Sequence, residues 1–178
     1  MIMSDKISGV YYRDPEIFYD HRGEYVNIFN GYYFATLGFA MKEDDVSLSH
    51  KNVLRGLHGD NRTAKLIQCL YGEIILAVVD MRDEKYSWEI FHLNDRNRRQ
   101  VLVPAGCVNG HYILSDKAIF AYKQSEYYKG AENQMTVRWN DPEVGIDWGV
   151  PNMDPILSIR DSNVPLLSSS NHRSFKND

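Results

Sequence analysis

The stretch Lys65-Leu66-Ile67-Gln68-Cys69-Leu70-Tyr71-Gly72-Glu73-Ile74-Ile75-Leu76-Ala77-Val78-Val79 contains two short apolar runs separated by a Tyr-Gly break. Runs of this length with a glycine between them are typical of two consecutive β-strands. Alternate residues of a strand share a face, so Lys65 shares its face with Ile67 and Cys69. A charged residue on an otherwise apolar inward face predicts a ligand-binding cavity inside a β-barrel rather than a dry core.

The same pattern continues along the rest of the chain. Further short apolar runs, separated by Gly, Asp, Asn and Pro, occur at residues 88–93, 99–103, 111–114, 118–124 and 135–139. Before the quoted stretch, residues 10–12 and 25–29 flank a turn-like segment at 20–23, and the most helix-compatible region, 32–42, is short. Many short strands with such turn signals predict an all-β sandwich or barrel. A βαβ rhythm and a glycine-rich phosphate loop are both absent, which disfavours a dinucleotide-binding or P-loop fold.

Length and composition limit the class of protein. A chain of 178 residues suits one domain, predicted over residues 1–167, with a mobile polar tail over 168–178. The net charge of −4 gives no polycationic surface for nucleic acid. We expect a cytoplasmic protein, because no signal peptide is visible and no apolar run reaches the ~20 residues that span a bilayer. Cys69 and Cys107 lie in apolar stretches and are predicted to be buried free thiols.

A group of charged residue types lies before and at the start of the quoted stretch. Arg55, His58 and Lys65 fall within eleven residues, beside a glycine and at the start of a run that reads as a buried strand. Two cations and a titratable imidazole suit an anionic, oxygen-rich small molecule. Asp161, far downstream, is a candidate carboxylate partner for His58.

Eight segments occur in the order and approximate spacing of the nucleotide-sugar 3,5-epimerases. They are Asn52-Val53-Leu54-Arg55-Gly56-Leu57-His58, Lys65 with Gly72-Glu73, Val79-Asp80-Met81-Arg82, Val103-Pro104-Ala105-Gly106, Tyr122-Lys123, Trp139-Asn140-Asp141-Pro142, Gly145-Ile146-Asp147-Trp148 and Pro155-Ile156-Leu157-Ser158-Ile159-Arg160-Asp161. The chain thus resembles the dTDP-4-dehydrorhamnose 3,5-epimerase family over roughly residues 20–167. The resemblance implies a cupin-like double-stranded β-helix, a jelly-roll barrel with short helices, and a homodimer that exchanges N-terminal strands. It also implies an isomerase that needs no cofactor.

The resemblance gives each candidate a role in proton transfer beside a ketone. In a 4-keto-6-deoxy sugar the ketone activates the hydrogens at C3 and C5, and inversion needs a base on one face and an acid on the other. By resemblance His58 is the base, Asp161 its orienting carboxylate and Tyr122 the acid. Lys65 would stabilise the enolate oxygen, and Arg55 would hold the diphosphate.

The resemblance extends to residues that would bind the substrate. Arg22 matches a motif arginine that reaches the nucleotide of a neighbouring subunit, and Ser47 and Arg160 are further predicted substrate contacts. Tyr127 or Tyr128 is an alternative acid. The expected substrate is a GDP-, dTDP- or CDP-linked hexose or heptose used in capsule or lipopolysaccharide biosynthesis.

Two departures from the family predict altered substrate recognition. Asn109 stands where the family usually has a histidine, and His111 follows two positions later on the same strand face. The segment at residues 43–47, which ends at Ser47, replaces the usual Gln-x-Asn-x-Ser run with one that carries Glu and Asp. The sequence around His58 and His111 also resembles the branch that processes GDP-linked 4-keto-6-deoxyheptoses in bacterial capsule pathways.

Three other functions remain open at this point. A metal-dependent cupin would draw its ligands from His58, Glu73 and His111, but the motif around His58 lacks the second histidine that such sites use. We therefore expect no metal. A non-catalytic sugar-nucleotide-binding cupin is the second alternative. The third keeps the fold but epimerises C3 alone or moves the ketone between C3 and C4.

Overall fold

Two facing antiparallel sheets make up most of the computed structural model, which describes residues 1–169. The strands in these residues are β1 (Ile2–Met3), β2 (Tyr11–Arg13), β3 (Ile17–Asp20), β4 (Gly23–Val26), β5 (Glu43–His50), β6 (Leu54–Gly59), β7 (Lys65–Tyr71), β8 (Glu73–Asp80), β9 (Trp88–Asn94), β10 (Gln100–Val103), β11 (Cys107–Ile113), β12 (Lys117–Gln124) and β13 (Met135–Thr136). One sheet has the order β1-β2-β10-β7-β12-β5 and the other β13-β6-β11-β8-β9, while β3 and β4 form a separate hairpin. The all-β prediction is confirmed.

The helices in the described residues are short, as predicted. They are α1 (Gly31–Thr36) and α2 (Ile159–Ser162), with 3-10 turns at Ala131–Asn133 and Leu167–Ser169. Each α-helix begins at a polar cap, because the Asn30 side chain accepts a hydrogen bond from the Tyr33 amide and the Ser158 side chain accepts one from the Asp161 amide. No helix within residues 1–169 has both the length and the apolar character that crossing a membrane requires.

Strand β8 explains why the quoted stretch is apolar on both faces. Ile74, Leu76 and Val78 point into the core between the two sheets. Their alternate neighbours, including Ile75 and Val79, point to a second core on the outer side of the five-stranded sheet. The chain beyond β13 covers that outer side with apolar residues that include Val137, Val144 and Trp148. A strand buried on both faces loses the apolar-polar alternation of a surface strand.

Strand β6 contains one extra residue relative to its neighbour β11. Asn109 pairs with His58 and His111 pairs with Arg55, so two steps on β11 oppose three steps on β6. The bulge centres on Gly56, whose φ is +118°, and a Cβ there would lie 2.4 Å from the Gly110 Cα. Only glycine fits this position, and the extra residue brings both Arg55 and His58 to the side that faces the other sheet.

Replacing Gly56 with alanine should lower the free energy of unfolding by more than ~3 kcal/mol, because the backbone conformation and the close approach to β11 are both incompatible with a Cβ. Gly38→Ala is the matched control, since Gly38 also has a positive φ, +84°, but nothing lies within 4 Å of its Cβ position. We expect a loss of about 1 kcal/mol there. Denaturant unfolding measures both values, and equal losses would contradict the predicted clash.

Most predicted strands are confirmed, and the errors have physical causes. The runs at 66–70, 74–79, 88–93, 99–103 and 118–124 correspond to β7, β8, β9, β10 and β12. The predicted start of β11 at 111 is wrong, because the asparagine and glycine before it read as a turn. The predicted strands at 25–29 and 135–139 are too long, since β4 ends at Val26 and β13 at Thr136. Strands β1, β3, β5 and β6 were not among the predicted strand segments.

Both cysteines are free and buried, as predicted. The pKa of each thiol is raised to about 12 because burial disfavours the thiolate. The predicted tail over 168–178 lies outside the described residues except for its first two positions.

Candidate active site

The predicted contact between His58 and Asp161 is present. The Nε2 atom of His58 lies 2.7 Å from the Oδ1 atom of Asp161, and the two side chains are 21% and 4% exposed. Within residues 1–169 the other ring nitrogen of His58, Nδ1, has no hydrogen-bond partner. The carboxylate therefore fixes the ring while one nitrogen stays available to a ligand.

Helix α2 places Asp161 beside His58. The Ser158 cap begins the helix, and the Gly56 amide in the β6 bulge donates to the Asp161 Oδ2 atom at 3.5 Å. Burial alone would raise the pKa of the Asp161 carboxyl, but the hydrogen bond and charge of His58, with the bonds from Ser158 and Gly56, hold that pKa below its ordinary value. Asp161 is thus an ionised partner for His58 at neutral pH.

Tyr122 and Lys65 lie on the facing sheet. They belong to β12 and β7, which are neighbours in the six-stranded sheet, whereas His58 belongs to the five-stranded sheet. The Lys65 Nζ atom lies 5.5 Å from the centre of the Tyr122 ring, and Lys65 is 8% exposed. Packed sheets lie about 10 Å apart. His58 therefore faces Lys65 and Tyr122 across the interior between the two sheets.

The surroundings shift the pKa of both groups. Burial, the charge of Asp45, the neighbouring Tyr128 and a hydrogen bond to Asp45 raise the pKa of Tyr122 to about 12. Burial lowers the pKa of Lys65, and the charge of Arg160 lowers it further, while Asp60 and Asp45 act in the opposite direction. Tyr122 thus keeps its proton at neutral pH, as an acid must.

The predicted arginines have different surroundings. The Arg55 guanidinium donates to the Ser49 hydroxyl at 3.0 Å and forms no ion pair with any described residue. Arg160 donates to the Gln134 and Thr136 side chains and to a backbone carbonyl. Arg22 is exposed in the turn between β3 and β4 and pairs with Asp20 of the same turn. Within the described residues neither Arg55 nor Arg160 forms an ion pair, whereas Arg22 does, and Arg55 makes fewer hydrogen bonds than Arg160.

Three buried polar atoms on the inward faces of the two sheets have no hydrogen-bond partner in the described part of the chain. They are the Ser47 Oγ, Asn109 Oδ1 and His111 Nε2 atoms, and we call these three residues the inner polar cluster. Asn109 and His111 follow each other on the inner face of β11, and the His111 ring stacks on Phe120 of β12 with the ring centres 3.8 Å apart. This stack joins the two sheets, and the Phe120 ring also lies 5.4 Å from the Tyr122 ring, measured between ring centres.

His111 is held neutral by its surroundings. Burial, aided by the charges of Arg55 and His58 and opposed by Asp161, lowers the pKa of His111 to about 3. The unfolded chain binds a proton at this histidine below about pH 6.5, but the folded protein does so only near pH 3. Stability is therefore unaffected above pH 6.5 and decreases as the pH falls from 6.5 towards 3.

His111→Phe should flatten this dependence, because phenylalanine keeps the stacked ring and cannot bind a proton. One pKa unit corresponds to about 1.4 kcal/mol. Between pH 6.5 and pH 3 the wild type should therefore lose several kcal/mol more unfolding free energy than His111→Phe. Denaturant unfolding over this range measures the effect, with the exposed His92→Phe as a control that should keep the wild-type slope. Identical slopes in wild type and His111→Phe would contradict the assignment.

The structure also contains a cavity of about 400 Å³. It is lined by the loop at 60–63, by Gln124 and by the segments at 126–130 and 132–135. Gln124 pairs with Lys65 across β12 and β7, and Gln134 accepts a hydrogen bond from Arg160. Two lining residues thus contact candidate site residues, but His58, Lys65, Tyr122 and Asp161 do not line the cavity themselves. Tyr127 and Tyr128 contribute exposed rings to its wall.

Sequence reasoning singled out the segment at residues 43–47 but gave no individual role to Asp45 or to Gln124. Asp45 lies opposite Tyr122 in the pairing of β5 with β12, and its Oδ2 atom accepts a hydrogen bond of 2.8 Å from the buried Gln124. The alternating pattern of β5 could have revealed the position of Asp45, because Glu43, Asp45 and Ser47 share one face of the strand. A strand whose inward face carries acids resembles a surface loop in sequence.

The metal-site alternative lacks a ligand set in the described part of the chain. No group of three or more His, Cys, Asp or Glu side chains within residues 1–169 is arranged to hold a metal ion. Glu73 does not join His58 and His111, because it shares its face of β8 with Ile75 and Val79 on the outer side of the sheet, and it pairs there with Arg96.

Comparisons with known proteins identify the family of this chain. Residues 4–169 match the family described as dTDP-4-dehydrorhamnose 3,5-epimerase. The chain is 34% identical to the dTDP-4-dehydrorhamnose 3,5-epimerase of Salmonella typhimurium over 179 aligned positions, which cover 96% of this chain and 97% of that protein.

Solved structures give the same result. A dTDP-6-deoxy-D-glucose-3,5-epimerase from Legionella pneumophila, in complex with dTDP-4-keto-L-rhamnose, has a TM-score of 0.87 and 31% identity, covering 97% of this chain and 95% of that chain. ChmJ, a 3'-monoepimerase from Streptomyces bikiniensis in complex with dTDP-quinovose, has a TM-score of 0.85 and 30% identity, covering 94% and 88%. The predicted jelly-roll fold is confirmed by these likenesses. This chain belongs to the dTDP-4-dehydrorhamnose 3,5-epimerase family.

Proposed function

We propose that this protein is a cofactor-independent epimerase that inverts C3, C5 or both in a nucleotide-linked 4-keto-6-deoxy sugar. The observation that carries the proposal is the placement of His58 with Asp161 on one sheet and of Tyr122 with Lys65 on the facing sheet. A carbon centre is inverted only when the proton leaves from one face and returns to the other. Because the two sheets face each other, His58 and Tyr122 can act on opposite faces of the same carbon.

The proton steps follow from these positions. His58 takes the proton from the carbon beside the ketone, and the electrons of the C–H bond move onto the ketone oxygen. The Lys65 ammonium stabilises the resulting enolate. Tyr122 then donates its O–H proton to the opposite face of the same carbon, and the ketone re-forms. His58 is left protonated and Tyr122 deprotonated, and exchange with water restores both groups.

We assign the nucleotide end of the substrate to Arg55 and to the neighbouring cavity. Arg55 offers a planar guanidinium without an ion-pair partner in residues 1–169, which suits the diphosphate. The exposed rings of Tyr127 and Tyr128 in the neighbouring cavity suit stacking of a flat base. We assign the dTDP-linked sugar as the first candidate because the relatives act on or bind dTDP sugars. GDP- and CDP-linked sugars, including GDP-linked heptoses of capsule pathways, are the alternatives.

Epimerisation at C3 alone is the second candidate function. It is favoured by the similarity to ChmJ, which is a 3'-monoepimerase. The same base and acid serve either outcome, and the difference lies in whether the sugar ring can move so that C5 also meets His58.

The proposal includes a homodimer in the cytoplasm. The hairpin of β3 and β4 exposes Phe18, Tyr19 and Tyr25, and the edge strand β5 exposes Val46 and Leu48 on its outer face. An apolar surface beside a free strand edge is typical of a protein interface. In such a dimer the hairpin would bring Arg22 to the partner's nucleotide. Sedimentation of the purified protein should give the mass of two chains, and a monomer at micromolar concentration would contradict this part.

Deuterium exchange tests the proposed function. The purified protein is incubated in deuterium oxide with dTDP-4-keto-6-deoxyglucose, and separately with the GDP- and CDP-linked sugars, and the products are read by NMR. We expect deuterium at C3, or at C3 and C5, with the inverted configuration. Label at one carbon assigns the single epimerase, and no exchange with any of these sugars would contradict the enzyme proposal.

A further inference from the structure

The hairpin of β3 and β4 has few links to the rest of its own chain. Most of its residues are exposed, and the Phe18 and Tyr25 rings contact each other. Within residues 1–169, its one hydrogen bond or ion pair to another part of the chain joins Glu24 to the Arg98 guanidinium. The orientation of the hairpin, and of Arg22 in its turn, therefore depends on a small set of polar contacts.

Three consecutive residues at the start of β10 hold the hairpin and both of its ends. Arg98 contacts β4 as described above. Arg99 forms a bidentate ion pair with Asp14, just before β3, through hydrogen bonds of 2.7 and 2.8 Å. The buried Gln100 side chain donates to the backbone carbonyl of Ile28, just after β4. We call Arg98, Arg99 and Gln100 the hairpin anchor.

Arg98 is held in a conformation that arginine rarely adopts. Its φ is +51°, which is uncommon for any residue other than glycine. Its guanidinium donates to the Leu70 carbonyl at 2.8 Å as well as to Glu24, while its buried Nε atom has no partner in the described part of the chain. Strained backbone and unpaired buried atoms are concentrated at functional positions. Both features therefore indicate a role for the contact between Arg98 and Glu24 beyond packing.

Resting on the proposed function and its homodimer, we infer that Glu24 and Arg98 are positioning residues for the site of the partner subunit. Their contact directs the hairpin so that the Arg22 guanidinium meets the diphosphate of the nucleotide bound by the partner. Arg22 itself pairs only with Asp20 of the same turn, so it presents a charge without setting the direction of the hairpin. A side chain that is in place before binding loses less conformational freedom than one on a freely moving hairpin.

Affinity for a nucleotide tests the hairpin anchor without any proton transfer. The variant is Glu24→Ala, and the matched control is Glu16→Ala, which removes the same charge from an exposed glutamate just before β3. Removal of a negative charge would by itself favour an anionic ligand, so weaker binding cannot come from the change in charge. Calorimetry with dTDP, and with GDP and CDP alongside, gives the dissociation constants.

We expect Glu24→Ala to bind dTDP about tenfold more weakly, the value of one charge-assisted hydrogen bond to phosphate, and Glu16→Ala to bind as the wild type does. The KM for the 4-keto sugar should rise by the same factor while kcat stays within about twofold, because His58 and Tyr122 are unchanged. The denaturant midpoint of Glu24→Ala should stay at the wild-type value, since a partly exposed ion pair contributes little to stability. An unchanged dissociation constant would overturn the inference.

Mixed dimers, co-expressed with two different affinity tags, show whether the hairpin acts on the partner's site. In the first, one chain carries His58→Asn and the other Glu24→Ala. The intact base then lies in the Glu24→Ala chain and meets the intact hairpin of the other chain, so KM should equal that of the wild type. In the second, one chain carries both substitutions and the other carries neither. The intact base then meets the altered hairpin, and KM should rise about tenfold.

Equal KM values in the two mixed dimers, or the reverse order, would overturn the inference, and so would a monomeric protein. These outcomes differ from failure of the proposed function, because an enzyme that exchanges deuterium normally can still show any of them. If the wild type exchanges no sugar, the proposed function fails, and the dissociation constants of Glu24→Ala and Glu16→Ala still test the hairpin anchor.

Discussion

Replacing His58 with asparagine should abolish deuterium exchange at both C3 and C5, with a fall in rate of at least about 10³-fold. The exchange requires a base to form the enolate, and positioned general bases typically contribute 10²- to 10⁴-fold. Asparagine retains the approximate size of the imidazole and can still accept or donate a hydrogen bond, but it cannot take a proton. NMR of the sugar in deuterium oxide measures the rate.

His92→Asn is the matched control, because His92 is exposed on β9 and is distant in the strand order from His58. It should retain the wild-type rate. Thermal unfolding checks that His58→Asn remains folded. Near-normal exchange in His58→Asn would mean that a different group removes the proton, and the base assignment would fail. His111 would be a weak substitute, because its pKa is lowered to about 3 by burial.

Replacing Tyr122 with phenylalanine should separate exchange from inversion. His58 would still form the enolate, so exchange should stay within about tenfold of wild type. The inverted product should fall by about 10²-fold or more, because the opposite face has lost its acid and the proton returns from the original side. NMR of the product in deuterium oxide gives both quantities from one sample.

The two rival tyrosines provide the controls. Tyr127→Phe and Tyr128→Phe remove exposed hydroxyls from the cavity wall and should change affinity for the nucleotide more than the ratio of inversion to exchange. A loss of inversion in Tyr128→Phe with retention in Tyr122→Phe would transfer the role of acid to Tyr128.

Most of the fold could be predicted from the sequence, because the local pattern of each core strand agrees with the structure that it forms. Strand β8 is an apolar run bounded by turn signals, and it forms as predicted. Strand β5 was missed because its inward face carries Glu43 and Asp45, whose burial depends on partners from distant strands such as Gln124. Local propensity holds no information about such partners.

The residues of the candidate site could be predicted from the sequence, but their arrangement could be predicted only in part. His58 and Asp161 were paired from the resemblance, and their contact is present. Strict alternation would place Arg55 and His58 on opposite faces, because they are three residues apart. The extra residue at Gly56 reverses that expectation, and bulges of this kind depend on the register with the neighbouring strand. The unpartnered atoms of the inner polar cluster were visible only once both sheets were in place.

The hydrogen bond between His58 and Asp161 also has a consequence for how the protein folds. It joins residues 103 positions apart, and its carboxylate arrives on a short helix that follows the segment covering the outside of the five-stranded sheet. Contacts between such distant positions are slow to form, since the ordering of a long connecting chain opposes them. During refolding, recovery of epimerase activity should therefore lag behind the formation of strands seen by circular dichroism, and the lag would time the docking of the final segment.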